Sequence, residues 1–594
     1  MSGQTDNNSA GTTRRTDTVL RRKMIQYLIP AMLTTAAFSL SEFVDSMILA
    51  NILNSDAMAI IQLGSPVILI CATAYILIGN GGSTLYSICL GERDIEKAGG
   101  YFGVSVASSA IIGLILTIIG FTFFEPLSHV MCKDPELYDD FVTFFRALLW
   151  SVPFLIIIMS TVCFLAPAGA PQLATVVNVV ANVVNIAMDY VYIRFFGMGV
   201  EGAAYATLTG YLVGGVILIF ALFGKKADIK RRKLTREDIS LFPNIVKTGS
   251  SFSATQLGYA IKIAFCNSIA AFHAGAAGVV GFSLCIQSLS IVSIFLAAVI
   301  ESASPILGML HGQKDYLGEK MVLRRALILQ GVLSVLCTGF FNLFADVFAS
   351  FYDITDGERL MVAVTALSIF SLIYLVRGFY IVFMKYLQII GLKLYALLIS
   401  VADGFVIIIP LSMIMSRSMG IKGLWWSFPI NTGVVFAACM IANIIITSRH
   451  KDKYTGLLLD LKPGNEKVLL DVTIMRSDDH DISTLSERFQ RICEENGMEK
   501  MKAVHASLLL EEMTVYLKDH IKKDGYVDIL VKGHDDYISL DFRSTGASID
   551  PNDKSENDFR ENIKLLKGLA REITCNYVMG MNNISVEFDA SGAA

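Results

Sequence analysis

Charge is what this chain lacks most. Only 17% of its 594 residues are Asp, Glu, Lys or Arg, while 54% are hydrophobic, and the mean hydropathy is +0.56. Ordinary soluble domains are about 25% charged, so a large soluble protein is excluded. Excess basic charge is also absent. The net charge is −4, which gives no electrostatic footprint for nucleic acid. Cysteine is present but unpatterned. The ten cysteines form no CxxC pair and no Cys/His spacing suited to a metal, so no metal site is expected. They read as small buried apolar residues of a reduced or membrane setting. No cleavable leader is expected either: the first apolar run is too long and too many others follow it.

What the chain has is a succession of long apolar runs. A hydrocarbon core needs about 20 apolar residues per helix. By that rule about twelve spans are expected, near 24–53, 58–89, 98–124, 138–165, 171–196, 200–223, 245–272, 277–310, 323–349, 359–388, 392–416 and 421–446. Lys and Arg in short loops set orientation. Arg14, Arg15, Arg21, Arg22 and Lys23 precede the first span, and Lys225 to Arg236 separate the sixth from the seventh. Lys314, Lys320, Arg324 and Arg325 follow the eighth, and Arg449, Lys451 and Lys453 follow the twelfth. Alternate loops are acidic, with Asp134, Glu136, Asp139 and Asp140, then Asp353, Asp356 and Glu358. Both termini are therefore expected in the cytoplasm, with the spans in the plasma membrane.

The membrane region repeats itself. Gly91-Glu92-Arg93-Asp94 returns as Gly312-Gln313-Lys314-Asp315, and Met198-Gly199-Val200-Glu201-Gly202 returns as Met419-Gly420-Ile421-Lys422-Gly423. Both pairs share one sequence offset and equivalent places in the topology. Six spans per half gives two bundles of like orientation, a parallel repeat with a cleft between the halves. Rocking one bundle against the other is a route to alternating access.

Within the first half, Asn178, Asn182, Asn185 and Asp189 are spaced four, three and four residues apart. On a helix they form one polar stripe. An ionised Asp at mid-bilayer costs roughly 3 kcal/mol on insertion scales, so the stripe must face protein or a water-filled cavity. Interhelical packing by amides is the plainer explanation; three amides and an acid exceed what packing requires. In the first span Glu42 and Asp45 share a face, and Pro30 should bend the helix. If the helices meet, Asp45 and Asp189 share a pocket of low dielectric suited to taking up and releasing a proton. The alternative for Asp45 is a cap or interface residue near the outer surface. The repeat register puts Cys266 opposite Asp45 and Pro410 opposite Asp189, so coupling chemistry is expected in the first half only. The second half offers Lys262, Glu301, Arg377 and Asp403 near membrane depth. Lys262 and Asp403 read as an intramembrane ion pair, as part of a substrate surface, or as a pair that holds the bundle together.

The composition changes after Arg449. The last stretch is densely charged with no spanning run. It reads as a cytoplasmic α+β domain with strands at 467–476, 526–533, 536–543 and 583–589 and helices at 481–496, 501–523 and 559–573.

Residues 20–446 resemble the MATE family of multidrug exporters, especially its DinF- and MepA-like branch, through Pro30, Asp45, Asn185, Asp189 and Thr207 within Gly199-Val-Glu-Gly-Ala-Ala-Tyr-Ala-Thr207. The resemblance implies an α-helical polytopic membrane protein. In it Asp45 and Asp189 bind the coupling H⁺ or Na⁺, Asn185 and Thr207 hold the surrounding hydrogen bonds, and Pro30 sits at a bend. Glu42, Asn178, Asn182, Lys262, Glu301 and Asp403 are accessory or substrate-facing candidates. The implied activity is export of organic cations by an antiporter, not an enzyme. The tail resembles a GHKL-type ATPase of the anti-sigma-factor kinase kind through His505 to Tyr516, Gly546, Asp550-Pro551 and Gly580-Met-Asn-Asn583. Tyr516 stands where that family has the Mg²⁺-binding Asn, Ser544 where it has the adenine-reading Asp, and Lys554 to Phe559 replace its Gly-rich lid. ATP binding is therefore not expected, no cofactor is implied, and the tail reads as a regulatory module for a cytoplasmic protein partner. The expected layout is a disordered N-terminus over 1–22, bundles over 23–224 and 245–447 joined by a basic linker at 225–244, and the tail domain over 448–594. A lipid-linked flippase of the same superfamily and a membrane-bound signalling protein are the alternatives.

Overall fold

The computed structural model describes residues 18–589 except 53–54, 133, 225–227, 351–356, 463–466, 477–481, 522–524, 535, 547 and 549–569. The chain falls into two compact units. One is Met24–Lys462; the other combines Met1–Lys23 with Pro463–Ala594.

The larger unit is helical. Its first half comprises α1 (Thr18–Ile52, which begins in the other unit), α2 (Ser55–Glu92), α3 (Ile95–Thr122), the short α4 (Phe124–Met131), α5 (Pro135–Val162), α6 (Pro171–Tyr190) and α7 (Gly199–Phe223). The second half comprises α8 (Phe242–Gly312), α9 (Tyr316–Leu343), the short α10 (Ala345–Ser350), α11 (Gly357–Phe370), α12 (Tyr374–Ile389), α13 (Lys393–Val401), α14 (Ile408–Met419) and α15 (Ile421–Arg449). Pro135 and Pro171 open α5 and α6, where a missing N–H costs nothing. Helix α8 is two limbs meeting at a break, with Ala274 and Gly275 outside helical geometry. Among the described residues, eleven helices are long and apolar enough to cross a membrane, against about twelve expected. The first limb of α8 makes the difference. It is helical but less apolar, and it carries Lys247 and Lys262.

The repeat is visible in backbone detail. Asp94 caps α3 by accepting from the Lys97 N–H at 2.9 Å, and Asp315 caps α9 by accepting from the Gly318 N–H at 3.1 Å. The residues just before them, Arg93 and Lys314, both adopt positive φ, at 64° and 56°. Gly199 and Gly420 match at 61° and 62°. The two halves also touch through a repeated pair. A Cβ on Gly91 would lie 2.9 Å from the Gly312 Cα, and one on Gly312 would lie 2.9 Å from the Gly91 Cα. Only glycine lets α2 and α8 approach so closely.

The smaller unit holds a five-stranded antiparallel sheet, β3 (Lys467–Met475), β4 (Tyr526–Gly533), β5 (Tyr537–Thr545), β6 (Glu572–Val578) and β7 (Met581–Asp589), in the order β3-β4-β5-β7-β6. β1 (Tyr454–Thr455) and β2 (Asp460–Leu461) are a small hairpin of the larger unit. Alternate residues such as Ile538, Leu540, Phe542, Ile584, Val586 and Phe588 enter a core shared with α16 (Ile482–Glu495) and α17 (Lys500–His520). One expected element is corrected. The end of the helix expected at 559–573 is strand β6, while 559–569 lies outside the described residues. Ile573, Cys575 and Tyr577 alternate with polar residues, and Met579-Gly580, both at positive φ, form a turn that fits a hairpin. The start of α1 also differs from expectation: residues 1–17 lie outside the described set, and the helix begins at Thr18. Its first turn is held within the smaller unit. The Val19 N–H donates to Asp528 Oδ2 at 2.8 Å, Asp528 Oδ1 accepts from Thr473 at 2.6 Å, and Arg22 lies over the Tyr526 ring and donates to its hydroxyl at 2.6 Å. A buried carboxylate at a helix N-terminus satisfies an orphan donor and complements the helix dipole.

Candidate functional site

The polar stripe of α6 turns inward. Asn178, Asn185 and Asp189 are all buried, at 3%, 8% and 2% exposure, and Asn182 is half-buried. Asn185 Nδ2 donates to Thr207 Oγ1 at 3.4 Å, and that hydroxyl donates to the Ala203 carbonyl at 3.0 Å. Gly210 makes this possible: a Cβ there would lie 2.7 Å from the Ala181 carbonyl and 3.1 Å from the Asn185 Cβ. Asn178 Oδ1 and Asn182 Nδ2 are buried atoms with no hydrogen-bond partner among the described residues, each a cost that packing alone does not explain. One residue beyond Asp189 the helix widens into a π segment, Val191–Phe195, a deformation common at functional sites.

Helix α1 is tied to this stripe one step below. Thr175 Oγ1 donates to the Pro30 carbonyl at 2.9 Å, and the single proton of Thr34 Oγ1 is shared between the Pro30 carbonyl at 2.9 Å and Thr175 Oγ1 at 3.1 Å. Pro30 lies inside α1, where it removes one helical hydrogen bond. Its carbonyl thus joins α1 to α6 at the bend. Thr34 and Thr175 escaped sequence reading because a hydroxyl in an apolar run is usually satisfied within its own helix. Glu42 and Asp45 lie on α1, and their side chains fall outside the described residues.

The second half has its own polar centres. Lys262 Nζ lies 3.3 Å from Asp403 Oδ2, and Asn431 Nδ2 donates to Asp403 Oδ1 at 2.8 Å, all buried. The ion pair read from the sequence is present. A second basic group was overlooked. Lys385 on α12 is buried, donates to Thr84 Oγ1 of α2 at 2.7 Å and sits 5.2 Å from the Phe252 ring centre. Nearby, Gln388 bonds to Ser251. Glu301 lies within electrostatic reach of Lys385 and is surrounded by protein, yet its side chain is exposed. The signal was available: a lysine in the middle of a spanning run is itself a functional flag.

These features define a class before any name. Multiple spanning helices in two repeated bundles, with buried polar centres, together with the family and relatives that follow, make a multi-pass membrane transporter rather than an enzyme. Residues 30–191 match the MatE family. The chain is similar to the probable multidrug resistance protein YoeA of Bacillus subtilis, 24% identical over 69% of this chain and 90% of that protein. It is similar also to the multidrug export protein MepA of Staphylococcus aureus, 22% identical over 73% of this chain and 95% of that protein. An outward-facing multidrug resistance MATE transporter of the MOP superfamily superposes with a TM-score of 0.68 over 75% of this chain and all of that one, at 21% identity. A MATE structure in a bent conformation gives 0.67 over 73% and 96%. The membrane unit therefore has the MATE fold, with MepA- and YoeA-like relatives.

Proposed function

We propose that the protein is a cation-coupled antiporter of the plasma membrane that exports organic cations by alternating access, with both termini in the cytoplasm. The observation that carries this reading is the buried carboxylate of Asp189, on the same helix face as Asn178 and Asn185 and followed one residue on by a π segment. Such an acid at membrane depth is suited to taking up and releasing H⁺ or Na⁺. The names of the MepA and YoeA relatives support export of drugs. Asp45 completes the site in this reading. From the Thr34–Thr175 contact, Asp45 lies ~16 Å along α1 and Asn185 ~15 Å along α6. In this reading first and fifth spans run in the same direction, and the similar rises support a common level for the two residues. Pro30, tied to Thr175, is the bend through which cation uptake moves α1. In this reading Glu301, exposed and within electrostatic reach of Lys385, is the acid that a cationic substrate meets, beside apolar walls that adapt to varied shapes.

The smaller unit is a regulatory module in this reading, related to GHKL-type domains but without nucleotide chemistry, and available to a cytoplasmic protein partner. Its grip on the first turn of α1 gives it purchase on the helix that bends. A flippase and a signalling protein are not favoured, since the relatives are multidrug exporters. The test is accumulation of a fluorescent organic cation in cells. Cells expressing the wild type should exclude the dye, and cells expressing D189N at equal membrane abundance should not. Equal exclusion by both would remove Asp189 from the mechanism.

A further inference from the structure

The register that sets Gly91 opposite Gly312 and Gly199 opposite Gly420 also sets Ser41 opposite Lys262, Asn182 opposite Asp403 and Gly210 opposite Asn431. Three uncharged positions of the first half thus become a cation, an acid and an amide in the second. The second-half trio is assembled, not scattered. Lys262, Asp403 and Asn431 come from three different helical segments, are each 5% exposed or less, and meet at 3.3 and 2.8 Å. Asp403 lies in the π segment Ala402–Val406; the first half's π segment, Val191–Phe195, falls about ten positions further along the repeat register, so the two are not equivalent positions. The approach is built in. Gly258 on α8 and Gly404 next to Asp403 face each other so closely that a Cβ on Gly258 would lie 2.7 Å from the Gly404 Cα.

A carboxylate buried here needs a positive charge beside it. Lys262 supplies one that is covalently fixed and cannot leave. We propose that Lys262 is a tethered occupant of a monovalent-cation site formed by Asp403 and Asn431, and that removing its ammonium opens this site to Na⁺ or H⁺. The lysine thereby holds cation exchange to the first half. That consequence for coupling rests on the antiporter reading; the site itself does not.

The test uses the purified full-length protein in detergent. Two readouts are compared with the wild type: bound ²²Na⁺ per chain, and the infrared C=O band of a protonated carboxyl group. K262M should gain one cation equivalent per chain, as ²²Na⁺ or as a new protonated carboxyl. K262M/D403N should lose that gain, and K262R, which keeps a tethered charge, should never show it. A folded K262M that gains neither would overturn the proposal, as would a gain that persists in K262M/D403N. K262Q, which preserves a donor and most of the volume, replaces K262M if the latter fails to give a sharp thermal melt. Cation-driven transport by the wild type in proteoliposomes is read separately. Its absence would remove the antiporter reading and leave the binding result to decide this one.

Discussion

Thr175→Val removes the hydroxyl that joins α6 to the bend of α1 while keeping the side chain's shape. The wild-type hydroxyl donates to the Pro30 carbonyl at 2.9 Å and accepts from Thr34 at 3.1 Å. Interhelical hydrogen bonds within membranes contribute about 0.6 kcal/mol on average and up to about 1.7. Losing this one pivot, which serves two contacts, should cost about 1 kcal/mol. That shifts an equilibrium between joined and released α1 by about fivefold. Spin labels at Leu33 and Val176, both exposed positions on the two helices, report the separation by pulsed electron resonance in nanodiscs. The released population should rise about fivefold, and export should slow or quicken with it. An unchanged distance distribution would show that the hydroxyl only packs, and the bend would lose its place in the mechanism.

Three further outcomes are expected. Asp528→Ala should free the first turn of α1, since it strips the acceptor from the Val19 N–H and the Thr473 hydroxyl at a cost of about 1–3 kcal/mol; trypsin should then cut faster after Arg21 and Arg22, and an unchanged rate would show that the contact does not hold the turn. Burial pushes the Cys493 thiol from its ordinary 9.0 to about 12. Folding therefore holds its proton, and the smaller unit should lose stability as pH rises from about 9 towards 12, where only the unfolded chain ionises this thiol; the difference in melting temperature between wild type and C493A, whose cavity costs stability at every pH, should be constant below that window and shift across it, and a constant difference throughout would refute the shift. Lys385→Met should weaken the contact between α12 and α2 by removing the donor to Thr84 and should alter which organic cations are exported, because the charge beside Glu301 changes; an unchanged substrate profile would place Lys385 outside the substrate path.

Much of the fold was legible because bilayer-scale apolar runs and a repeated glycine signature survive in the sequence. The Gly91 and Gly312 turns proved to be close helix contacts as well as repeat markers. The first limb of α8 was legible as a helix, but it is not among the described helices long and apolar enough to cross a membrane. Strand β6 was misread because Leu565 to Glu572 offers helical spacing up to its edge. The pairing of Cys575 and Asn576 with β7 is a tertiary fact that local propensity does not carry. At the site, the spacing of Asn178, Asn182, Asn185 and Asp189 announced one face, and the structure buries three of the four. Thr175 on Pro30 and Lys385 on Thr84 depend on which helices pack together, and sequence spacing holds no record of that. Asp238 illustrates the same limit within the basic linker. The Thr235 N–H, then the Thr235 hydroxyl and Arg232, hold its carboxyl below the ordinary Asp range, so a stretch that read as a plain basic loop is a small folded cap.

The central claim is that a cation taken up at Asp189 drives export, and the most direct measurement is coupled flux in proteoliposomes. Wild-type protein should move a fluorescent organic cation against its gradient when a pH or Na⁺ gradient is imposed, with counter-movement of that same ion. D189N, inserted equally, should show neither movement. Gradient-driven export by D189N at the wild-type rate would contradict the account.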